Sequence, residues 1–173
     1  MKIESERMLL REMTQDDYGD LCEILQDELV MKAYEHAFCD EEVQTWLDHQ
    51  LRRYQEDGFG LWAMIRKSDG VFLGQCGLTM QLVDEHPRLE IGYLLKRRYW
   101  HQGYAIEAAA ACKRYAFDVL QAESVCSIIK DTNTASQRVA QRNGMKIIKR
   151  VIKQYYGIRM PHDIYEIRKC EEE

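Results

Sequence analysis

The sequence predicts an α/β domain, and three observations carry that prediction. Segments with strand-like and helix-like patterning alternate along the chain. The apolar segment LEIGYLL, residues 89–95, leads through a glycine-bearing loop straight into a long alanine-rich helix without proline. The 173 residues suffice for one domain, residues 1–173, with a substantial core, and no low-complexity linker divides them. Periodicity alone leaves α/β and α+β both open.

MLLREM (8–13) reads as an opening strand. Thr14 with Asp17 three residues on forms a capping-box-like helix start. Tyr18, Leu21, Cys22 and Leu25 then recur at helical spacing. Residues 27–39 are irregular and hold Tyr34, His36 and Phe38. Asp40, Glu41 and Glu42 put a cap and negative charge at the start of a second helix, where the dipole favours them. Its apolar stripe is Val43, Trp46, Leu47, Leu51 and Tyr54, and it runs as far as Asp57.

Gly58-Phe59-Gly60 breaks the helical pattern. LWAMIR (61–66) and VFLGQCGLTMQLV (71–83) flank the turn sequence Lys67-Ser68-Asp69-Gly70 and predict a β-hairpin. Gly74 and Gly77 in its second strand suggest a bulge or a close backbone approach. Glu85-His86-Pro87 closes it before the 89–95 strand. The helix after Gly103 carries Ala105, Ala108, Ala109, Cys112, Ala116 and Val119 on one face, with Glu107, Arg114 and Asp118 opposite. Residues 125–129 form a short buried strand. Asn133 or Thr134 caps a last helix that ends at Asn143-Gly144, where glycine supplies a left-handed cap. Residues 145–169 read as two strands joined near 157–161.

Composition excludes several classes. The net charge of −5 argues against a non-specific binder of nucleic acid or anionic membranes. No run approaches the ~18 apolar residues of a membrane span. MKIESERMLL carries charges where a signal peptide needs an apolar core, so the cytoplasm is the expected compartment. Six cysteines lie without any CxxC pair, mostly in hydrophobic patterns. They read as buried reduced thiols rather than a zinc site or disulfide framework. No metal-ligand spacing is present.

The strand, glycine loop and helix N-terminus at 89–111 present free backbone N–H groups and the positive end of a helix dipole. Gly103 lets the backbone approach a ligand closely, and Ala105 keeps the next position small. The natural ligand of such a turn is a phosphate or pyrophosphate, held by the backbone from His101 through Gln102, Gly103 and Tyr104 to Ala105. An ordinary loop-to-helix turn is the alternative.

The run W-H-Q-G-Y-A-x-E-A resembles the acyl-CoA-binding signature of the GNAT superfamily of N-acyltransferases, and within it the RimJ/RimL-type branch that acetylates protein N-termini. Trp100 departs from the usual Gln or Arg of the superfamily's first position, and His101 stands where the branch commonly has Gly. EIGYLL before the run, DTNTASQRVAQRNGM after it and YYGIRMPHDIYEI near the end extend the resemblance over nearly the whole chain. It implies a mixed central β-sheet flanked by helices, in the order β-α-α-β-β-β-α-β-α-β-β. It also implies acetyl-CoA as co-substrate, with its pantetheine arm paired like an extra strand near Tyr93, Leu94 and Leu95.

Acetyl transfer from a thioester requires a held donor, a neutral amine and a stabilised leaving thiolate. The resemblance implies that Asn133 contacts the pantetheine and that Ser136 lies near the sulfur; as residues, both are also ordinary helix caps. Glu90 lies inside an otherwise apolar strand, where charge rarely serves packing. It is a candidate base, as the matching position is in relatives, or a strand-edge carboxylate paired with Arg88 or another cation. Tyr104 reads as packing or loop stiffening. Tyr165 reads as an acyl-site or core residue, and His162 as substrate-side or structural. His36, His49 and His86 read as surface residues.

The expected reaction is direct attack of a neutral amine, without a covalent acetyl-enzyme. An α-amine has pKa near 8 and lysine near 10.4, so neutralising lysine costs about 3 kcal/mol more. That favours a protein N-terminus, such as a ribosomal protein's, as acceptor. The alternatives are a small amine such as a polyamine or antibiotic, and a CoA-binding regulatory module without catalysis. A nucleotide-binding domain is disfavoured by the lack of G-x-G-x-x-G and Walker-type motifs. Glu28, Glu35, Asp40, Glu41 and Glu42 would favour a cationic acceptor if they faced it, and a solvated helix start explains them equally well. The chain is expected as a monomer or homodimer, with no nucleic acid or membrane partner.

Overall fold

A computed structural model describes residues 2–34, 36–155 and 157–171. Glu35, counted above among the acidic residues, lies outside them. Strands β1 (Lys2–Glu4), β2 (Met8–Arg11), β3 (Leu61–Arg66), β4 (Phe72–Val83), β5 (His86–Leu95), β6 (Ser124–Lys130), β7 (Lys146–Tyr155) and β8 (Ile158–Arg168) form one sheet. Its order is β1-β2-β3-β4-β5-β6-β8-β7. All neighbours run antiparallel except β5 and β6. The mixed sheet and its flanking helices are the predicted architecture.

Two apolar clusters cover opposite faces. Helices α1 (Tyr18–Leu25) and α2 (Asp40–Glu56) pack Leu21, Ile24, Leu25, Val43 and Leu47 against Leu61, Ala63 and Leu94. Helix α3 (Tyr104–Asp118) packs its alanines and Phe117 against Trp62, Met64, Cys76, Ile91 and Leu95. Helix α4 (Thr134–Arg142) joins this second cluster through Ala140. The alternation of Ala63 with Trp62 and of Leu94 with Leu95 is what divides the strands between the two faces.

Several local expectations change. β1 was not foreseen, because three residues with a lysine and a glutamate carry no apolar alternation. Cys39, not Asp40, is the N-cap of α2, and its N–H donates to Glu42 Oε2 at 2.9 Å. Val119 is the residue after α3 and is 58% exposed, so it does not extend the apolar face. Pro161 lies within β8, not in the turn. It sits one residue beyond the last β6–β8 pair, Lys130↔His162, so no ladder bond to β6 is lost there. Both readings of the paired glycines hold. The β3–β4 register steps from Met64↔Gly74 to Ile65↔Phe72, which leaves Leu73 as a bulge. A Cβ on Gly77 would sit 2.0 Å from the Gly60 carbonyl oxygen, so only glycine fits.

The site is positioned by a gap. β5 and β6 register at Glu90↔Cys126 alone, and beyond it they diverge.

Candidate active site

The glycine loop is built from outside its own sequence. Gly103 has φ +80° and is the N-cap of α3, and His101 has φ +60°. Arg7, in the β1–β2 turn, holds this corner. Its Nη1 donates to the Gln102 carbonyl at 2.9 Å, and its Nε donates to Glu107 Oε2 at 2.6 Å. The Arg7 backbone N–H and the Ser5 hydroxyl both donate to Glu107 Oε1, each at 2.7 Å. The guanidinium also lies 4.4 Å from the Tyr104 ring centroid. Tyr104 is buried in the core, so its side chain packs and stiffens the loop. His101, Gln102 and Gly103 are exposed, and Ala105 is half-buried against the α3 face. The loop therefore offers the first N–H groups of a 15-residue helix at a position kept clear by a glycine. These residues fit a pyrophosphate.

β5 leaves a short stretch of backbone toward the gap. The Ile91 carbonyl accepts from the Ser127 hydroxyl at 2.8 Å, and the Leu95 carbonyl accepts from Trp100 Nε1 at 3.1 Å. Alternate residues of a strand point their backbone groups to the same side, so the Tyr93 N–H and C=O face the gap between these two. Leu94, in contrast, packs its side chain toward α1 and α2.

A cleft of about 350 Å³ spans the gap and is lined from both faces of the sheet. Glu90, Tyr93, Leu94, Asn133 and Ser136 all line it. Leu95 and the loop 101–105 do not.

Glu90 reaches it half-buried. The Ile128 N–H donates to its Oε1 at 3.2 Å, and the Thr79 hydroxyl lies 3.5 Å from Oε2. Burial pushes this carboxyl above the usual glutamate range, against the opposing pull of Lys153, the Ile128 N–H, Thr79 and Arg53. The pairing with Arg88 does not occur: Arg88 bonds Glu166.

Asn133 caps α4, its Oδ1 accepting from the Ser136 N–H at 3.2 Å. Ser136 is tied across the gap, its carbonyl accepting from the Tyr93 hydroxyl at 3.1 Å. Burial raises the Tyr93 pKa.

Tyr165 is a core residue, 2% exposed and absent from the cleft lining. His162 lines the cleft, with its Nδ1 3.0 Å from the Met160 carbonyl oxygen. His49 and His86 are exposed, and His36 is half-buried beside Glu42.

Sequence reasoning missed the second wall of the cleft. Gln50 and Arg53 come from α2, Lys130 from β6 and Lys153 from β7. Gln50 follows Leu47 by three residues and Arg53 adjoins Tyr54 in the α2 stripe, a signal the sequence reading did not use, and nothing in the sequence connects them with Lys153. The acidic residues Glu28, Asp40, Glu41 and Glu42 do not line the cleft. Asp40 accepts from Gln26 at 2.6 Å, and Glu42 bonds His36 and Cys39.

This glycine-loop cradle beside a splayed parallel strand pair is that of an acyl-CoA-dependent transferase, and the chain belongs to the GNAT acetyltransferases. The family model described as an acetyltransferase (GNAT) domain matches residues 7–146. The chain is 36% identical over 153 residues to an uncharacterised Bacillus subtilis protein, YkkB, covering 88% of this chain and 89% of that one. It is similar in structure to a GNAT-family acetyltransferase from Bacillus anthracis, with a TM-score of 0.85 and 26% identity over the whole of both chains. It also resembles RimL, a ribosomal L7/L12 alpha-N-protein acetyltransferase solved with coenzyme A. That TM-score is 0.80 at 15% identity, over 97% of this chain and 98% of RimL. The protein is thus an N-acetyltransferase that uses acetyl-CoA. Among the described residues, no helix is long and apolar enough to cross a membrane.

Proposed function

We propose that this chain acts as one cytoplasmic domain, of the RimJ/RimL-like kind, that acetylates the α-amine of a protein N-terminus. The observation that carries this reading is Glu90, a carboxylate in the cleft on the side of the sheet that faces α2. Its pKa is raised by burial and so lies closer to that of an α-ammonium near 8 than an ordinary glutamate's does. A lysine ammonium near 10.4 would be a poorer match.

Bound acetyl-CoA supplies an acyl thioester. The backbone of 101–105 holds its pyrophosphate end, and the Tyr93–Leu95 backbone and Asn133 hold its pantetheine. Glu90 accepts the proton of the acceptor ammonium, directly or through water. The neutral amine then attacks the acyl carbon, the N–C bond forms, the C–S bond breaks, and the proton shed by the nitrogen passes to the departing sulfur, which leaves as the free thiol. The Ser136 hydroxyl donates a hydrogen bond to the departing sulfur. A serine hydroxyl is a poor acid but a competent donor. No cysteine lines the cleft among the described residues, which agrees with attack without a covalent enzyme intermediate.

The test is release of free thiol from acetyl-CoA with peptides that have a free N-terminus, the same peptides N-terminally blocked but bearing lysine, and polyamines. Turnover of the free peptides well above the rest is expected. Equal or better turnover of blocked peptides or polyamines would overturn the α-amine assignment.

A further inference from the structure

The acceptor side of the cleft carries more positive charge than its base requires. Arg53, Lys130 and Lys153 line it, and Glu90 is the only carboxylate among the described lining residues. Asp57, outside the lining, acts on Arg53 as well. His49 and His162 add little charge at neutral pH, because partial desolvation and the neighbouring cations lower the pKa of each. Gln50, beside Arg53, spends its Oε1 on the Leu61 N–H at 3.1 Å and on Arg53 Nη1 at 3.3 Å. Its buried Nε2 has no acceptor among the described residues. The wall around Glu90 is therefore rich in donors and poor in acceptors.

Resting on the α-amine reading above, we propose that the acceptor carries a carboxylate close to its amine, an acidic side chain within the first residues of the peptide, and that Arg53 and Lys153 receive it. The chemistry favours this class twice. A carboxylate gains charge-assisted bonds from a guanidinium and an ammonium that are partly withdrawn from water. The same two cations disfavour the protonated amine beside them, so they raise the fraction of neutral nucleophile that Glu90 must otherwise generate. A polyamine has the opposite sign at both places and is repelled.

The test compares kcat/KM of the full chain for matched peptides differing only in Asp against Asn, or Glu against Gln, at the second and third positions. Free aspartate and spermidine serve as further arms. The acidic peptides should be favoured roughly tenfold or more, the scale of a hydrogen bond to a charged group. Most of that preference should appear in KM. In Lys153→Gln, in Arg53→Gln and in the double variant, the acidic-to-amide ratio should fall toward one. Because it is a ratio within one protein, a general loss of activity or of Glu90 ionisation cancels. Free aspartate turning over better than the peptides would move the carboxylate from a peptide side chain to a free amino acid and overturn the peptide assignment. A preference for the amide peptides or spermidine, or an acidic preference that survives in the double variant, would overturn the proposal while leaving acetyl transfer intact. Failure of every α-amine, peptide or free, would overturn the underlying reading as well.

Discussion

Glu90 is the residue whose environment makes the sharpest demand. Its folded pKa lies above the unfolded value, so the stability it contributes is present below the unfolded pKa, near 4.3, and is lost as pH rises through the folded one. At neutral pH its ionised form is thus a net cost to the fold. Glu90→Gln should melt no lower than the parent at pH 7 while turnover falls, and raising the pH toward the amine pKa should restore much of the rate. Stopped-assay kinetics beside thermal melts separate the two effects; unchanged turnover at pH 7 would make Glu90 structural. Ser136→Ala should lower kcat by roughly tenfold to a hundredfold, about 1.4–2.7 kcal/mol, with acetyl-CoA affinity by calorimetry little changed. A variant that lost affinity but kept kcat would reduce Ser136 to a cap or cofactor contact. Gly103→Val meets two obstacles. φ +80° is strained for a β-branched residue, and the new Cβ would lie 3.2 Å from Arg7 Nη2 at the mouth of the cradle. Acetyl-CoA affinity should weaken at least tenfold, a loss of about 1.4 kcal/mol. An unchanged affinity in a folded variant would remove the loop from the binding site.

At the scale of elements, α3 owes its placement to a brace that spans a hundred residues of sequence. Burial alone would raise the Glu107 pKa, but the hydrogen bonds from the Arg7 N–H, Ser5 and the Arg7 guanidinium outweigh it and hold the carboxyl below its usual range. Its contribution to stability is therefore present above the unfolded pKa and is lost as pH falls through the depressed one. Glu107→Gln should cost about 1–3 kcal/mol at pH 7 and weaken acetyl-CoA binding through the loosened Gln102 carbonyl. Below pH 4 the difference in stability between variant and parent should shrink. Chemical denaturation at the two pH values measures this, and a difference independent of pH would mean that the carboxylate is not the anchor. The sequence disclosed α3 itself, because its alanines repeat at helical spacing after a glycine. It could not disclose Arg7, because no local pattern links a turn between two edge strands to the first turn of a distant helix. For the same reason the α2 and β7 residues of the cleft wall were invisible while Glu90, Asn133 and Ser136 were legible: the latter sit inside recognisable short patterns.

Across the molecule, the succession of strands and helices was largely legible, with periodicity marking most elements and the resemblance supplying their order, while the strand order within the sheet and the fastening of α1 to the turn before the glycine loop were not. Lys96 follows β5 and is 3% exposed. Its ammonium meets Asp20 at 2.5 Å and Glu23 at 3.0 Å, both on α1. Arg97 reaches Asp27 at 3.0 Å and Arg98 reaches Glu23 at 2.7 Å. The turn that leads into the glycine loop is thus fastened to the helix layer on the opposite face of the sheet. In sequence nothing links these charges, because their complementarity exists only once β5 has passed between them. The fastening is asymmetric: the Lys96 side chain is 4% exposed, against 36% for Asp20 and 44% for Glu23. Removing the cation leaves two carboxylates that water can reach, whereas removing the carboxylates strands a buried ammonium. Asp20→Asn combined with Glu23→Gln should therefore destabilise by roughly 3 kcal/mol, and Lys96→Met by clearly less, since its stem can still pack beside Phe72. Urea denaturation of the two variants in parallel decides the order. If Lys96→Met is the more damaging change, the ammonium is not desolvated at this junction, and the coupling between α1 and the cradle rests on apolar packing instead.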